Sequence, residues 1–340
     1  MRHILVSLPA FLALLLWGCE APRDNPYDPG AGNYIGPGIN PGSISGRVTS
    51  LSGQGLANAT ILAIPDSGDS IFGDISNAQG DYAIADVPSG QYQLVCSLQN
   101  YAPDTLNVTL SPNEQTAGKN FALDALPQVQ SFQVTSHYYH QTIIPPLFYT
   151  ISGQALCSEP DGYNDIDSVL LEIEGGFQAV MLYDSSSASH FYFSVTIPQD
   201  QLPGQSVDSI MGKIFTCLVK DTSGNSAASL PAYVRRYFVN YPVPLSPWNG
   251  ETVYVPTPWL TWQIFEAPFF FTYTVKVFRQ VGGGSAQLCW QRTALPAPED
   301  SVQVDSLLTN GNYYWTVEVI DEYGNSAQSD RAEFIVYYVP

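Results

Sequence analysis

Phe215-Thr216-Cys217-Leu218-Val219-Lys220-Asp221-Thr222-Ser223-Gly224-Asn225-Ser226-Ala227-Ala228-Ser229 and Trp315-Thr316-Val317-Glu318-Val319-Ile320-Asp321-Glu322-Tyr323-Gly324-Asn325-Ser326-Ala327-Gln328-Ser329 are two copies of one pattern, offset by 100 residues throughout. In each copy apolar side chains alternate with polar ones as far as an aspartate, and Asp-x-x-Gly-Asn then turns the chain back. A period of two is a strand with one buried face, and glycine and asparagine accept the positive φ that a tight hairpin requires. The repeat length is that of one small domain. Each copy is therefore expected to be the last hairpin of its own β-sandwich.

Composition extends this reading to the whole chain of 340 residues. Hydrophobic residues make up 45% and charged ones only 13%, about half the usual quarter, so the chain is globular and its surface is covered largely by uncharged polar side chains. With 27 Gly and 26 Pro, it has the makings of short strands joined by many turns, and the fold class expected is all-β. The formal charge of −19 excludes a phosphate backbone as partner and would be repelled by an anionic membrane surface. That charge is spread evenly, −6 on each of the segments 43–124, 125–242 and 243–340, so it marks no single site for a cationic ligand.

Three modules follow from the residue patterns. Ile44-Ser45-Gly46-Arg47-Val48, the turn at Gly53 and Gly55, Ser76-Asn77-Ala78-Gln79-Gly80-Asp81-Tyr82 and Val87-Pro88-Ser89-Gly90-Gln91-Tyr92 form an ordered series of alternating strands and polar turns. This series resembles the carboxypeptidase regulatory-like domain, a transthyretin-like sandwich of the carbohydrate-binding-like superfamily, over residues 43–124. The last segment, 243–340, carries Pro247-Trp248-Asn249-Gly250, Trp259-Leu260-Thr261-Trp262 and Leu307-Leu308-Thr309-Asn310-Gly311-Asn312-Tyr313-Tyr314-Trp315. Its proline-rich entry, second-strand tryptophan and leucine-glycine-tyrosine corner resemble a fibronectin type III domain. Residues 125–242 are a looser immunoglobulin-like match, marked by Glu159-Pro160-Asp161-Gly162-Tyr163-Asn164-Asp165-Ile166-Asp167. These resemblances imply tandem sandwiches strung into a rod.

The beginning of the chain sets the expected compartment. Arg2 precedes an apolar run from Ile4 to Trp17, about 14 residues where a membrane-crossing helix needs roughly 20. Residues 1–18 read as a signal peptide. Leu16-Trp17-Gly18-Cys19 resembles the lipobox of bacterial lipoproteins, which implies that Cys19 is the acylated (diacylglyceryl and palmitate-bearing) N-terminus of the mature chain; Trp17 departs from the usual small residue. Residues 19–42, rich in Pro and Gly, read as an extended tether. Glu20 after the cysteine favours sorting to an outer membrane, on either its periplasmic or its surface-exposed face.

Few residues suggest chemistry. His137 and His140, three apart on a strand, point to opposite faces and cannot share one ion, and His190 stands alone. The chain contains no HExxH pattern, Gly-x-Ser-x-Gly elbow, P-loop or dinucleotide fingerprint, so no catalytic residue and no cofactor is assigned. The loop bearing Asp161, Asn164, Asp165 and Asp167 suits calcium, yet its spacing fails the EF-hand pattern and such residues also satisfy their own turns. Turn chemistry is the preferred reading, with no metal ligand assigned. The immunoglobulin-like resemblance implies an inter-sheet disulfide at Cys157 and Cys217, although Cys217 aligns with Val317; Cys96 and Cys289 are expected to be buried thiols. The clusters Tyr138-Tyr139 and Phe269-Phe270-Phe271 are candidates for a sugar-stacking or docking surface, while Trp262 and Trp315 are expected in the core.

The expectation is a non-enzymatic lipoprotein of the bacterial envelope, held on the membrane through Cys19 and presenting its modules for binding, adhesion or assembly. A carbohydrate-binding lipoprotein using exposed aromatics and a passive spacer in an envelope complex are the alternatives. The partner, protein or glycan, is not readable from the residues.

Overall fold

A computed structural model describes residues 41–140, 149–281 and 284–339. The expected signal peptide, Cys19 and nearly all of the tether lie outside the described residues. Among the described residues strands dominate, joined by turns and four short 3-10 helices, in keeping with the all-β expectation. The chain divides into two compact units, one ending at Asp124 and one spanning Ala125–Pro340.

The first unit is a sandwich of two four-stranded sheets. In one, Gly42–Ser50 pairs antiparallel with Asp81–Val87 and parallel with Gln115–Thr116 and Phe121–Leu123. In the other the order is Phe72–Ile75, Thr60–Pro65, Gly90–Ser97, Asp104–Leu110. The alternation seen in the sequence becomes a core of Ile44, Val48, Ile61, Tyr82, Ile84, Leu94, Val108, Leu110 and Phe121. The polar turn before Asp81–Val87 is held by Asn77, whose side-chain oxygen accepts the Gln79 and Asp81 amides at 2.9 Å each. Gly80 closes it at φ +86°, and a Cβ there would lie 2.2 Å from the Val48 carbonyl, so both conformation and space require glycine.

The second unit contains both remaining sandwiches. Strands Tyr149–Ser158 and His190–Pro198 belong to a sheet facing Ile166–Ile173 and Phe215–Asp221, with Ile151, Leu171, Phe193, Phe215 and Val219 buried between them. In the C-terminal half, Phe271–Val281 and Gly311–Asp321 face Pro244–Ser246, Trp259–Trp262 and Ser301–Gln303 around Trp262, Tyr273, Trp315 and Phe334. Trp262 and Trp315 are 1% and 0% exposed, core residues as expected.

The two halves share a sheet. Ser326–Gln328, the return strand of the second hairpin, pairs parallel with Gln128–Tyr139 at Ser326 and His137, Ala327 and Tyr138, Gln328 and Tyr139. One ten-stranded sheet thus runs through both halves. The hairpin itself plugs the junction: the Asn325 side-chain oxygen accepts the Ser136 amide at 2.9 Å, and the Asp321 carboxylate, fully buried, accepts the Arg236 guanidinium at 2.9 Å. Arg236 also lies 3.7 Å above the Phe269 ring and reaches Glu322 at 3.1 Å.

The hairpin copies agree closely. Asp221 and Asp321 accept the Asn225 and Asn325 amides at 2.7 and 2.9 Å and their side-chain NH2 groups at 2.8 and 3.0 Å. Only the glycines, Gly224 and Gly324, take positive φ, at 95° and 85°. The asparagines were expected to share that role; instead they close the turn by bonding back to the aspartate through the side chain.

Candidate metal centre

The acidic loop follows directly from strand Tyr149–Ser158. Glu159 is carried into the interior by that strand's alternation and is 0% exposed. Pro160 ends the ladder, Gly162 at φ 105° turns the chain, and Tyr163–Asp165 forms a single 3-10 turn before strand Ile166–Ile173. The turn's backbone is satisfied by its own carbonyls, Gly162 N to Glu159 O and Asp165 N to Gly162 O, both at 3.1 Å.

The two aspartate carboxylates therefore reach beyond the turn, while Glu159 keeps one bond within it. Asp161 Oδ2 accepts the Ala125 amide at 2.8 Å, Asp165 accepts the hydroxyl of Thr222 in the first hairpin, and Glu159 Oε1 accepts the Asp161 amide at 3.2 Å. Carboxylate oxygens of Glu159, Asp161 and Asp165 lie within 4.8 Å of one another. Of the four loop residues singled out by sequence, two converge. Asn164 is exposed, and Asp167, also exposed, accepts the Ser168 hydroxyl at 3.1 Å. Glu159 was missed as a ligand candidate because nothing in its spacing announces that strand alternation turns it inward.

Burial pushes the Glu159 carboxyl up to about 7; the Asp161 amide opposes this, and the negative charges of Asp165, Asp161 and Asp221 add to it. The folded pKa stands above the ordinary 4.5, so the folded chain holds a proton that the unfolded chain releases between those values. This contribution is complete below about pH 4.5 and is lost as pH rises through about 7. In chelator, urea unfolding of the second unit is therefore expected to show roughly 2 kcal/mol less stability at pH 8 than at pH 5, after allowance for screening, and Glu159→Gln is expected to flatten that slope.

The other singled-out residues fall into structural roles or onto open surface. His137 bonds Ser326 at 2.9 Å, His140 bonds Asp330 at 2.6 Å while stacked 3.8 Å from Tyr241, and His190 is exposed. Tyr138 stacks on Tyr149 at 4.7 Å and Phe269 on Arg236, and Phe271 is buried, so of the two aromatic clusters only Phe270, 70% exposed, is well open to solvent. In the first unit all described aromatics are buried or half-buried; exposed rings lie in the second, where Tyr163 and Tyr183 pack at 4.7 Å beside the acidic loop. Cys157 and Cys217 are buried free thiols on opposite sheets, hydrogen-bonded to each other. Cys96 is buried, but Cys289, expected inside, is exposed on the outward face of strand Ser285–Pro296. Its neighbour Trp290 takes the inward position of that alternation.

Comparison with known proteins finds a family match within the first unit. Residues 43–124 match the family model of the carboxypeptidase regulatory-like domain. No curated protein matches the chain. Among solved structures, the chain is similar to BcpA, the major pilin subunit of Bacillus cereus, at 8% identity and TM-score 0.32, covering 88% of this chain and 98% of that one. It is also similar to the FN1–FN3 domains of chicken CNTN1, at 12% identity and TM-score 0.30, covering 88% and 99%. A putative carbohydrate binding protein from Bacteroides uniformis is similar at 11% identity and TM-score 0.24, covering 58% and 100%.

Proposed function

We propose that this chain is a non-enzymatic lipoprotein of the bacterial envelope, anchored through acylated Cys19 and presenting β-sandwich modules for binding or assembly. The sequence Leu16-Trp17-Gly18-Cys19 at the end of a short apolar run carries the proposal. Acyl chains contribute about 0.8 kcal/mol per buried CH2, so two or three of them hold a protein durably on a membrane. The acidic chain has no cationic stretch that would dock it on anionic lipid instead. The twenty-odd residues after Cys19, dense in proline and glycine, supply the reach.

Labelled palmitate is expected to enter the wild-type chain in cells, and Cys19→Ser is expected to abolish labelling and move the protein out of the membrane fraction. An unlabelled wild type, or a Cys19→Ser chain that stays membrane-bound, would overturn the anchor.

A further inference from the structure

We propose that Glu159, Asp161 and Asp165 bind a calcium ion. Each of the three carboxylates keeps one buried oxygen with no hydrogen-bond partner: Glu159 Oε2, Asp161 Oδ1 and Asp165 Oδ2. Each spends its other oxygen on a fixed protein donor, so the three groups are oriented before any ligand arrives. A fully buried glutamate with an unsatisfied oxygen beside two aspartates is costly unless something positive compensates it. Oxygens of the three residues within 4.8 Å of one another can all touch one calcium, whose ligands sit at about 2.3–2.6 Å.

The ligand chemistry narrows the ion. All donors are carboxylate oxygens, with no histidine or cysteine in the group, which disfavours zinc. Magnesium demands near-octahedral geometry and gives up its waters reluctantly, whereas calcium accepts an irregular loop and fills its six to eight positions with solvent where protein falls short. Three acidic side chains around a divalent cation leave the site net negative, consistent with firm binding. The rival occupant is a proton shared among the carboxylates, which the titration of Glu159 toward neutrality would also accommodate.

The bound ion would gather three parts of the second unit: Ala125 at its start through Asp161, the loop itself, and the first hairpin through Asp165 and Thr222. Binding to the folded state alone raises stability by mass action. The full-length protein in detergent at pH 7.5 is therefore expected to melt roughly 5 °C or more higher in calcium a hundredfold above its dissociation constant than in chelator, with magnesium giving a much smaller shift. Glu159→Gln and Asp165→Asn are each expected to remove the calcium response. Equilibrium dialysis of the wild type against radioactive calcium reads binding directly and does not depend on either variant folding. No melting shift together with no retained calcium would assign the cluster to a shared proton and end the proposal. An undiminished shift in both variants would place the ion elsewhere and equally overturn it.

Discussion

Asp321→Ala is expected to destabilise the second unit by about 4 kcal/mol, the range found when one partner of a buried ion pair is removed. The carboxylate is 0% exposed and accepts four donors: the Tyr323 and Asn325 amides, the Asn325 side chain and Arg236. Without it Arg236 keeps Glu322 and the faces of Phe269 and Tyr323, and Asn325 loses the bond that aims its oxygen at Ser136. A drop of roughly 10 °C in melting temperature should follow. The twin substitution Asp221→Ala provides the control. Asp221 accepts the Asn225 amide and side chain as Asp321 accepts those of Asn325, but among the described residues it has neither the third turn amide nor an ion pair, and its removal relieves the repulsion felt by Glu159, so the loss should be smaller by about 2 kcal/mol. Equal losses in the two variants would show that the pairing with Arg236 adds nothing.

Closure of a Cys157–Cys217 disulfide is the second large expected effect. The thiols sit on opposite sheets of one sandwich, and the mutual hydrogen bond and burial hold Cys217 well above its ordinary pKa. A thiol kept protonated is a poor nucleophile, so the folded, reduced chain should resist both alkylation and oxidation. During folding the same thiols are accessible. With oxidised glutathione as acceptor, the two thiols give up two electrons and two protons, one S–S bond forms between them, and the acceptor's S–S bond breaks to release two reduced glutathiones. Closing a loop of about 60 residues removes conformational freedom from the unfolded chain worth roughly 4 kcal/mol. Chain refolded in a glutathione redox buffer should lose 2 Da relative to chain refolded in reductant and melt roughly 10 °C higher. A mass unchanged after oxidative refolding would show that packing around the pair forbids the bond geometry.

Much of the architecture was legible because it rests on period-two alternation and turn chemistry, both local. The bounds and family resemblance of segment 43–124 were readable from its succession of turns, and the family match covers the same residues, while the parallel pairing of Gln115–Thr116 and Phe121–Leu123 with its first strand was not. The 100-residue repeat located both hairpins. Pairing between strands distant in sequence was not legible. Nothing in Ser326-Ala327-Gln328 distinguishes it from Ser226-Ala227-Ala228, yet the former pairs with Gln128–Tyr139 and the latter only with its own hairpin partner. Tyr138 illustrates the cost. As a string of exposed-looking rings Tyr138-Tyr139 suggested a platform, while the fold uses Tyr138 against Tyr149 and Tyr241 at the junction. The acidic loop was half legible. Asp161 and Asp165 were visible as oxygen donors, but whether their carboxylates serve the local turn or a common point depends on Ala125 and Thr222, which lie 36 and 57 residues away from their respective partners.

The parallel pairing of Ser326–Gln328 with His137–Tyr139 also bears on how the second unit can be cut. Two separate sandwiches would each leave an open sheet margin, a row of unpaired amides and carbonyls that invites a strand from another molecule. Joined margin to margin, each half caps the other's. A fragment stopped at residue 242 would bare strand Gln128–Tyr139 together with Tyr138 and Tyr139, and one begun at residue 243 would bare the second hairpin. Truncation between the repeats would therefore create two sticky proteins from one well-behaved unit, and the smallest piece suited to expression begins at Ala125 and keeps both hairpins.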